Sequence, residues 1–355
     1  MSRSERSKVE VCVGFPGLQQ ESCLASLREL DPRIELSVLP VDPDGDWLSP
    51  SLSQAHEEPP PWARSVADER AAALARAEVL VGLHAPRDLM RHASRVRWVH
   101  CVASGVEGWA DSGASSDRLV VTNSAGIGAR SIAEFVMARL LQFWKRLPLI
   151  DAAQRERRWA PAYGRTFFGT TMGLIGLGAI GREVARRARA FGAEVLAIKR
   201  SWAPGMTSEF ADELFGPGDL HEVLGRCDSV VVAAPLTPET EGMIDAAALS
   251  AMKPGTVLVN VARGGLIHSD ALIETMRAGH LGAAILDVFD EEPLAQASPF
   301  WDLPHTWVSP HAAVAVDRYI EDLLELFREN LRRYLDGEDL RNVVDMAAHG
   351  FASGR

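Results

Sequence analysis

The chain has no excess of basic side chains, no long apolar run and few cysteines, and each shortage excludes a class of function. Its 48 acidic residues outnumber 37 basic ones, a formal net charge of -11. It therefore lacks the positive field that gathers nucleic-acid phosphates or an anionic bilayer, and neither is expected as a partner. Nowhere do apolar residues run together for the roughly 18 positions that a spanning helix requires. The four cysteines, Cys12, Cys23, Cys101 and Cys227, lie far apart with no C-x-x-C pair. Three of them sit in apolar, strand-like runs, which predicts reduced core residues rather than a disulfide frame. The histidines show no metal-ligand spacing, so no metal is expected. There is no internal repeat. The polar start M-S-R-S-E-R-S-K has no apolar stretch behind it that would serve as a signal peptide, and a soluble, cytoplasmic protein is expected.

What is present is ordinary globular composition, 47 % apolar and 24 % charged over 355 residues, a length that suggests two domains with separate cores. The first part alternates: strand 9–14, helix 22–30, strand 34–39, helix 65–77, and strands at 79–83, 96–102 and 119–122. Between Pro40 and Trp62 six prolines interrupt a polar stretch that reads as a long surface loop. Residues 131–147 form an apolar-faced helix. Beyond it, strand and helix alternate regularly from Thr171 to Leu286, with strands rich in Val, Ile and Leu, which predicts a doubly wound parallel sheet. A strand at 306–309 and a long amphipathic helix from Val314 to Leu335, stopped at Gly337, close the chain.

Within that alternation, G-L-G-A-I-G (Gly176, Gly178, Ala179, Ile180, Gly181) follows a strand and opens a helix. The first glycine permits the tight turn, the second lets backbone approach a pyrophosphate, and the third lets helix pack on strand, so a dinucleotide site is expected. A second glycine pattern, G-I-G-A-R-S from Gly126, reads as a helix-entry turn. An NAD site usually places a carboxylate at the end of the next strand. Here stand Lys199, Arg200 and Ser201, which would grip a 2′-phosphate, so NADP(H) is favoured over NAD(H). Arg182, Arg186, Arg187 and Arg189 read as a solvated helix face.

Ligands of doubly wound sheets lie beyond the carboxyl ends of the strands. Three such ends carry polar chemistry. N-V-A-R-G-G puts Arg263 on a glycine-flanked loop, suited to gripping a carboxylate. D-V-F-D-E-E-P-L offers Asp287, Asp290, Glu291 and Glu292, and V-S-P-H delivers His311. A cation, a carboxylate and a proton-passing histidine together describe oxo-acid reduction. Physical reasoning leaves Glu291 and Glu292 as alternatives.

From about Val96 to Asp345 the chain resembles the D-isomer-specific 2-hydroxyacid dehydrogenase family. The resemblance rests on W-V-H-C-V-A-S-G-V-E, V-T-N-S-A-G-I, G-L-I-G-L-G-A-I-G-R-E-V-A, P-L-T-P-E-T-E-G-M-I, L-V-N-V-A-R-G-G-L-I, D-V-F-D-E-E-P-L and S-P-H. It implies a catalytic trio at Arg263, Glu292 and His311, and a substrate carboxylate held by the amides of Ala103, Ser104 and Gly105. It also implies cofactor contacts at Ala234, Pro235, Thr240, Val261, Ala262 and Asp287, the last facing the nicotinamide. The family's substrate domain is discontinuous. Residues 1–122 and 313–355 are assigned to a flavodoxin-like substrate domain, 123–312 to a Rossmann-type cofactor domain, and a homodimer is implied. The basic Lys199–Arg200 pair resembles NADP-using members that reduce glyoxylate or hydroxypyruvate. H-A-A-V after the histidine departs from the family pattern, and Val314 is expected to reshape the nicotinamide end.

The reading is an NAD(P)H-dependent reductase of a 2-oxo acid, the product a D-2-hydroxy acid. Trp144, Trp301 and Trp307 read as buried or interface aromatics before pocket residues. A nucleotide-sensing corepressor on the same fold, and a formate- or phosphite-oxidising relative, are the alternatives weighed against it.

Overall fold

A computed structural model describes residues 8–40, 61–83, 89–106, 109 and 119–346, the side chains of 61–68, 90 and 91 excepted. The proline-rich loop lies almost wholly outside the described residues. The chain divides into two compact units, Met1–Ile127 with Val316–Arg355, and Gly128–Ala315.

In the first unit the chain order is β1 (Val9–Val13), α1 (Glu21–Arg28), β2 (Ile34–Val38), α2 (Pro61–Arg76), β3 (Val79–Gly82), the one-turn α3 (Leu89–His92), β4 (Trp98–Cys101) and β5 (Val120–Asn123). The strands form one all-parallel sheet in the order β2-β1-β3-β4-β5, the flavodoxin-like arrangement. Alternate strand residues feed two cores. Cys12, Leu80 and Val99 pack on one side, and Val11, Val13, Val79, Val81 and Trp98 on the other. The long C-terminal helix of this unit (Tyr319–Asp336) lays Leu323, Phe327, Leu331 and Leu335 on the second core. It ends at Gly337, whose φ of 72° is the left-handed turn expected of a C-terminal glycine. The helix begins at Tyr319, five residues after the predicted Val314.

The second unit opens with α4 (Ala129–Trp144) and α5 (Leu147–Arg155), where the sequence suggested a single helix; Arg146, at φ 54°, breaks them apart. Then follow β6 (Thr171–Ile175), α6 (Ala179–Ala190), β7 (Glu194–Ile198), the short edge strand β8 (Glu213–Phe215), α7 (Leu220–Arg226), β9 (Ser229–Val232), α8 (Ala246–Ala251), β10 (Val257–Asn260), α9 (Ser269–Arg277), β11 (Ala283–Leu286) and β12 (Thr306–Val308). With the first unit's helix as α10, the doubly wound expectation is met by a seven-stranded parallel sheet ordered β12-β11-β10-β9-β6-β7-β8. Strands buried on both faces explain the unbroken apolar runs: Val230, Val232 and Leu258 face one core, Val231, Val257 and Val259 the other. The order reverses between β6 and β9, which makes that point the topological switch of the sheet. All four cysteines are buried.

Candidate active site

The strand ends of the second unit carry nearly every polar residue singled out above. At the β6 end the three glycines are distinguishable by what a side chain would meet. Gly176 has φ +104°, and a Cβ there would lie 2.8 Å from the backbone of Ala233 and Ala234. At Gly181 it would lie 2.1 Å from the Gly176 carbonyl oxygen. These two are glycine because the turn and the helix leave no room. Gly178 differs: its φ is -79° and nothing lies within 4 Å of a built Cβ. The protein itself does not demand glycine there, whereas a pyrophosphate approaching the helix amides would.

Beyond β7, a cavity of about 350 Å³ is lined by Arg182, Lys199, Thr207 and Ser208, among others. The cations around it differ in their partners. Arg186 and Arg187 are neutralised by Glu183, and Arg189 by Asp212, in keeping with a solvated helix face. Among the described residues no ion pair engages Arg182, Lys199 or Arg200. Arg182 donates to the Leu177 carbonyl at 3.3 Å and lies over the Phe210 ring. Sequence reading grouped Arg182 with its helix neighbours; the signal separating it is that Glu183 falls three and four residues before Arg186 and Arg187.

The turns after β10, β11 and β12 interlock. Asn260, buried at the β10 end, accepts from the Ala262 amide at 3.1 Å and donates to the Arg263 carbonyl at 2.8 Å, which fixes the A-R-G turn. Asn260 carried no role in the sequence reading, although it is a polar residue ending the otherwise apolar run V-L-V. A Cβ at Gly264 would lie 2.0 Å from the Phe289 backbone, so the Arg263 turn is packed directly on the D-V-F turn.

Asp287 is 2 % exposed. Its carboxylate accepts from Ser309 Oγ at 2.5 Å and from the Ala312 and Ala313 amides at 3.0 Å each, while its carbonyl takes the His311 amide at 2.9 Å. Both carboxylate oxygens are thus engaged in shaping the loop that holds His311 at φ 52°, a left-handed conformation that a non-glycine residue keeps only when its surroundings impose it. Of the two adjacent glutamates, Glu292 reaches the histidine. Its Oε2 lies 2.8 Å from His311 Nδ1 and its Oε1 accepts the Phe289 amide at 2.9 Å. A carboxylate at Nδ1 assigns the proton to that nitrogen and leaves Nε2 for other work. The pair stands at the polar end of a cavity of about 470 Å³, walled by Phe289, Pro293, Leu294, Trp301 and Val308.

Ala234, Val261 and Ala262 are buried at the ends of β9 and β10. Thr240 Oγ closes the P-L-T-P turn by donating to the Pro235 carbonyl at 2.7 Å. Val314 packs against Gly128 at the start of α4. Trp144 is buried, Trp307 lies edge-on to Phe143, and Trp301 lines the cavity beside His311. Ala103, Ser104 and Gly105 belong to the first unit and directly follow β4 there. No group of three potential metal ligands converges among the described residues. No helix there is long and apolar enough to cross a membrane.

The family model described as "D-isomer specific 2-hydroxyacid dehydrogenase, NAD binding domain" matches residues 137–313. The chain is 35 % identical over 260 residues to a glyoxylate reductase of Thermococcus gammatolerans, covering 71 % of this chain and 77 % of that one. It is 36 % identical over 265 residues, 73 % of its length, to D-3-phosphoglycerate dehydrogenase of Mycobacterium bovis, and spans about half (49 %) of that longer protein. Among solved structures it is similar to an NADPH-dependent glyoxylate/hydroxypyruvate reductase of Sinorhizobium meliloti, in complex with NADP and sulfate. There the TM-score is 0.76 and the identity 25 %, over 96 % of this chain and all of that one (100 %).

Proposed function

Because the chain belongs to the D-isomer-specific 2-hydroxyacid dehydrogenase family, we propose that it reduces a small 2-oxo acid to the D-2-hydroxy acid, with NADPH preferred over NADH. The observation that carries the reading is the 2.8 Å contact between Glu292 Oε2 and His311 Nδ1. It orients an imidazole so that Nε2 can give a proton to a developing alkoxide. Arg263 and the amides of Ala103, Ser104 and Gly105 bind the carboxylate and polarise the carbonyl, and Glu292 balances the charge of the protonated ring. The cofactor, when bound, supplies the hydride. The open space at Gly178 fits a pyrophosphate, and Ala179, Ile180 and Gly181 present the helix amides to it. Asp287 acts in this reading by building the His311 loop. Residues 1–122 and 313–355 are proposed as the substrate domain.

The preference for NADPH is supported by Arg182, Lys199 and Arg200, none of them in an ion pair among the described residues although Arg200 acts on the charge of Glu239, with Ser201 beside them, and by the similar reductase solved with NADP. Glyoxylate and hydroxypyruvate are the first candidate substrates, again from the named similarities. A homodimer is part of the proposal. Leu149, Trp159, Tyr163 and Phe168 present exposed apolar surface on and after α5, with Trp159 95 % exposed, more than a monomer usually leaves open in one stretch. The widely spaced, buried cysteines fit a reducing, cytoplasmic setting. Neither nucleic acid nor membrane is a partner in this reading. The relatives named above are reductases and dehydrogenases by description, which favours catalysis over nucleotide sensing.

The test is the loss of reduced-cofactor absorbance with NADPH and with NADH against glyoxylate, hydroxypyruvate, pyruvate, phenylpyruvate and 2-oxoisocaproate. Faster consumption of NADPH with at least one acid is expected. Consumption of neither, with both bound, refutes the enzymatic reading; a faster NADH rate refutes the role given to Lys199 and Arg200.

A further inference from the structure

The loop after β4 is held by its carbonyls. Ser124 Oγ donates to the Cys101 carbonyl at 3.0 Å, and Tyr319 Oη, on α10, to the Val102 carbonyl at 2.5 Å. The Ser124 amide donates to Ala103 at 3.0 Å, Asn123 Nδ2 to Ser104 at 2.6 Å, and Cys101 Sγ to Gly105 at 3.3 Å. Five consecutive carbonyls thus each have a donor. In a trans peptide the carbonyl and the next amide point opposite ways. Fixing the carbonyls of Val102, Ala103 and Ser104 therefore aims the amides of Ala103, Ser104 and Gly105 away from the residues that hold them. Backbone amides turned outward in this manner can donate to a carboxylate.

Beneath the loop runs a directed chain of hydrogen bonds. Trp98 Nε1 donates to Thr122 Oγ1 at 2.8 Å, and Thr122 Oγ1 lies 2.8 Å from His100 Nδ1. His100 Nε2 lies 3.1 Å from Ser124 Oγ, whose proton goes to the Cys101 carbonyl. Ser124 spends its one proton on the Cys101 carbonyl, so Nε2 donates to Ser124, and a neutral ring then accepts from Thr122 at Nδ1. His100 is fully buried against Trp98 and Phe327. Burial pushes its ring down to about 3 and the Tyr319 hydroxyl up to about 12, so both remain neutral.

We propose that Tyr319 and His100 are positioning residues for substrate binding: Tyr319 through the Val102 carbonyl, and His100 through Ser124, preset the amides that receive the substrate carboxylate. This rests on the proposed reduction of a 2-oxo acid. Neither residue touches substrate. Each acts by removing conformations of the loop in which its amides do not converge, so their loss weakens carboxylate binding while the proton-transfer pair of the other unit is unaltered.

The experiment measures KM and kcat for the best 2-oxo acid of the panel, together with the dissociation constant of NADPH, in Tyr319→Phe, His100→Asn and His100→Gln. Tyr319→Phe deletes one hydroxyl and keeps the ring. His100→Asn retains a polar atom near Nδ1 and loses the donor to Ser124; His100→Gln keeps a donor near Nε2. Tyr319→Phe and His100→Asn are expected to raise KM about 4- to 12-fold, as loss of one net hydrogen bond does, with kcat within about threefold and NADPH binding unchanged. His100→Gln is expected to recover most of the KM. Folded variants with wild-type KM, or a fall in kcat at unchanged KM, overturn the proposal while the wild-type rate leaves the reductase reading standing. Wild-type protein that reduces no 2-oxo acid overturns both.

Discussion

Alanine at Gly178 separates a ligand's requirement from the fold's. The built Cβ meets nothing within 4 Å and the backbone φ is -79°, so the substitution neither overpacks nor strains the turn. Restricting the unfolded chain should make it neutral to stabilising, by at most about 1 kcal/mol, or about 2–4 °C in melting temperature for a unit of this size. Cofactor binding should fall. A methyl group where the pyrophosphate approaches displaces it from at least one charge-assisted hydrogen bond of about 1.5–3 kcal/mol, one to two decades in Kd. Alanine at Gly181 is the counter-case. Its Cβ would sit 2.1 Å from a backbone oxygen, and overpacking of that kind costs about 1–3 kcal/mol. Thermal unfolding paired with NADPH titration distinguishes the two. If Gly178→Ala binds NADPH and NADH as wild type does, the phosphate cradle has been misread; if it destabilises by more than about 2 kcal/mol, the space above Gly178 is not open as described.

Glu292→Gln keeps the acceptor for the Phe289 amide but turns an amide donor toward His311 Nδ1. The ring must take the other tautomer, and kcat for reduction should drop about 10²- to 10⁴-fold with an unchanged circular-dichroism spectrum; a loss under threefold would count against the pair. Gly264→Ala would place a Cβ 2.0 Å from the Phe289 backbone and force the Arg263 and Glu292 turns apart. A displacement near 1 Å predicts a fall of about 100-fold in kcat/KM, read beside a lowered melting temperature. The acid limb of stability should report His100. Its ring stays neutral in the fold down to about 3, against 6.5 unperturbed, so between those values the unfolded chain binds a proton that the native state refuses. Stability therefore rises with pH across that window and falls as the pH drops through it. His100→Gln should flatten this limb in denaturant titrations, and an unaltered slope would contradict the burial. Replacing both Lys199 and Arg200 by alanine should raise the KM for NADPH at least tenfold and leave that for NADH nearly unchanged.

Strands were legible because both faces of each sheet are covered: a run such as S-V-V-V at β9 has no reason to alternate. The glycine turn was legible because its constraints act within six residues. Less local competition was not. Residues 314–318 keep the helical pattern of α10, yet the chain there is committed elsewhere: the Asp287 carboxylate takes the Ala312 and Ala313 amides and Ser131 Oγ takes that of Ala315. Amides used in this way do not start a helix. Likewise the helix read through to Leu147 breaks at Arg146 because of a single left-handed residue, and β8 is three residues that qualify only by pairing with β7. In the site, spacing left Glu291 and Glu292 equal and the resemblance alone chose between them; Glu292 is the one that hydrogen-bonds His311. The chain beneath the 103–105 loop was hidden for another reason. His100, Thr122 and Ser124 come together only when β4 pairs with β5, and that register is a property of the sheet.

The strand order has a consequence for how such a protein changes over time. Lys199 and Arg200 follow β7, whereas Glu292 follows β11, with β6, β9 and β10 between them. Four strand spacings amount to about 19 Å. Substitutions that far apart, sharing no partner, combine additively. A lineage can therefore exchange one dinucleotide for the other by altering residues at one flank of the sheet, and inherit its acid–base apparatus from the other flank untouched.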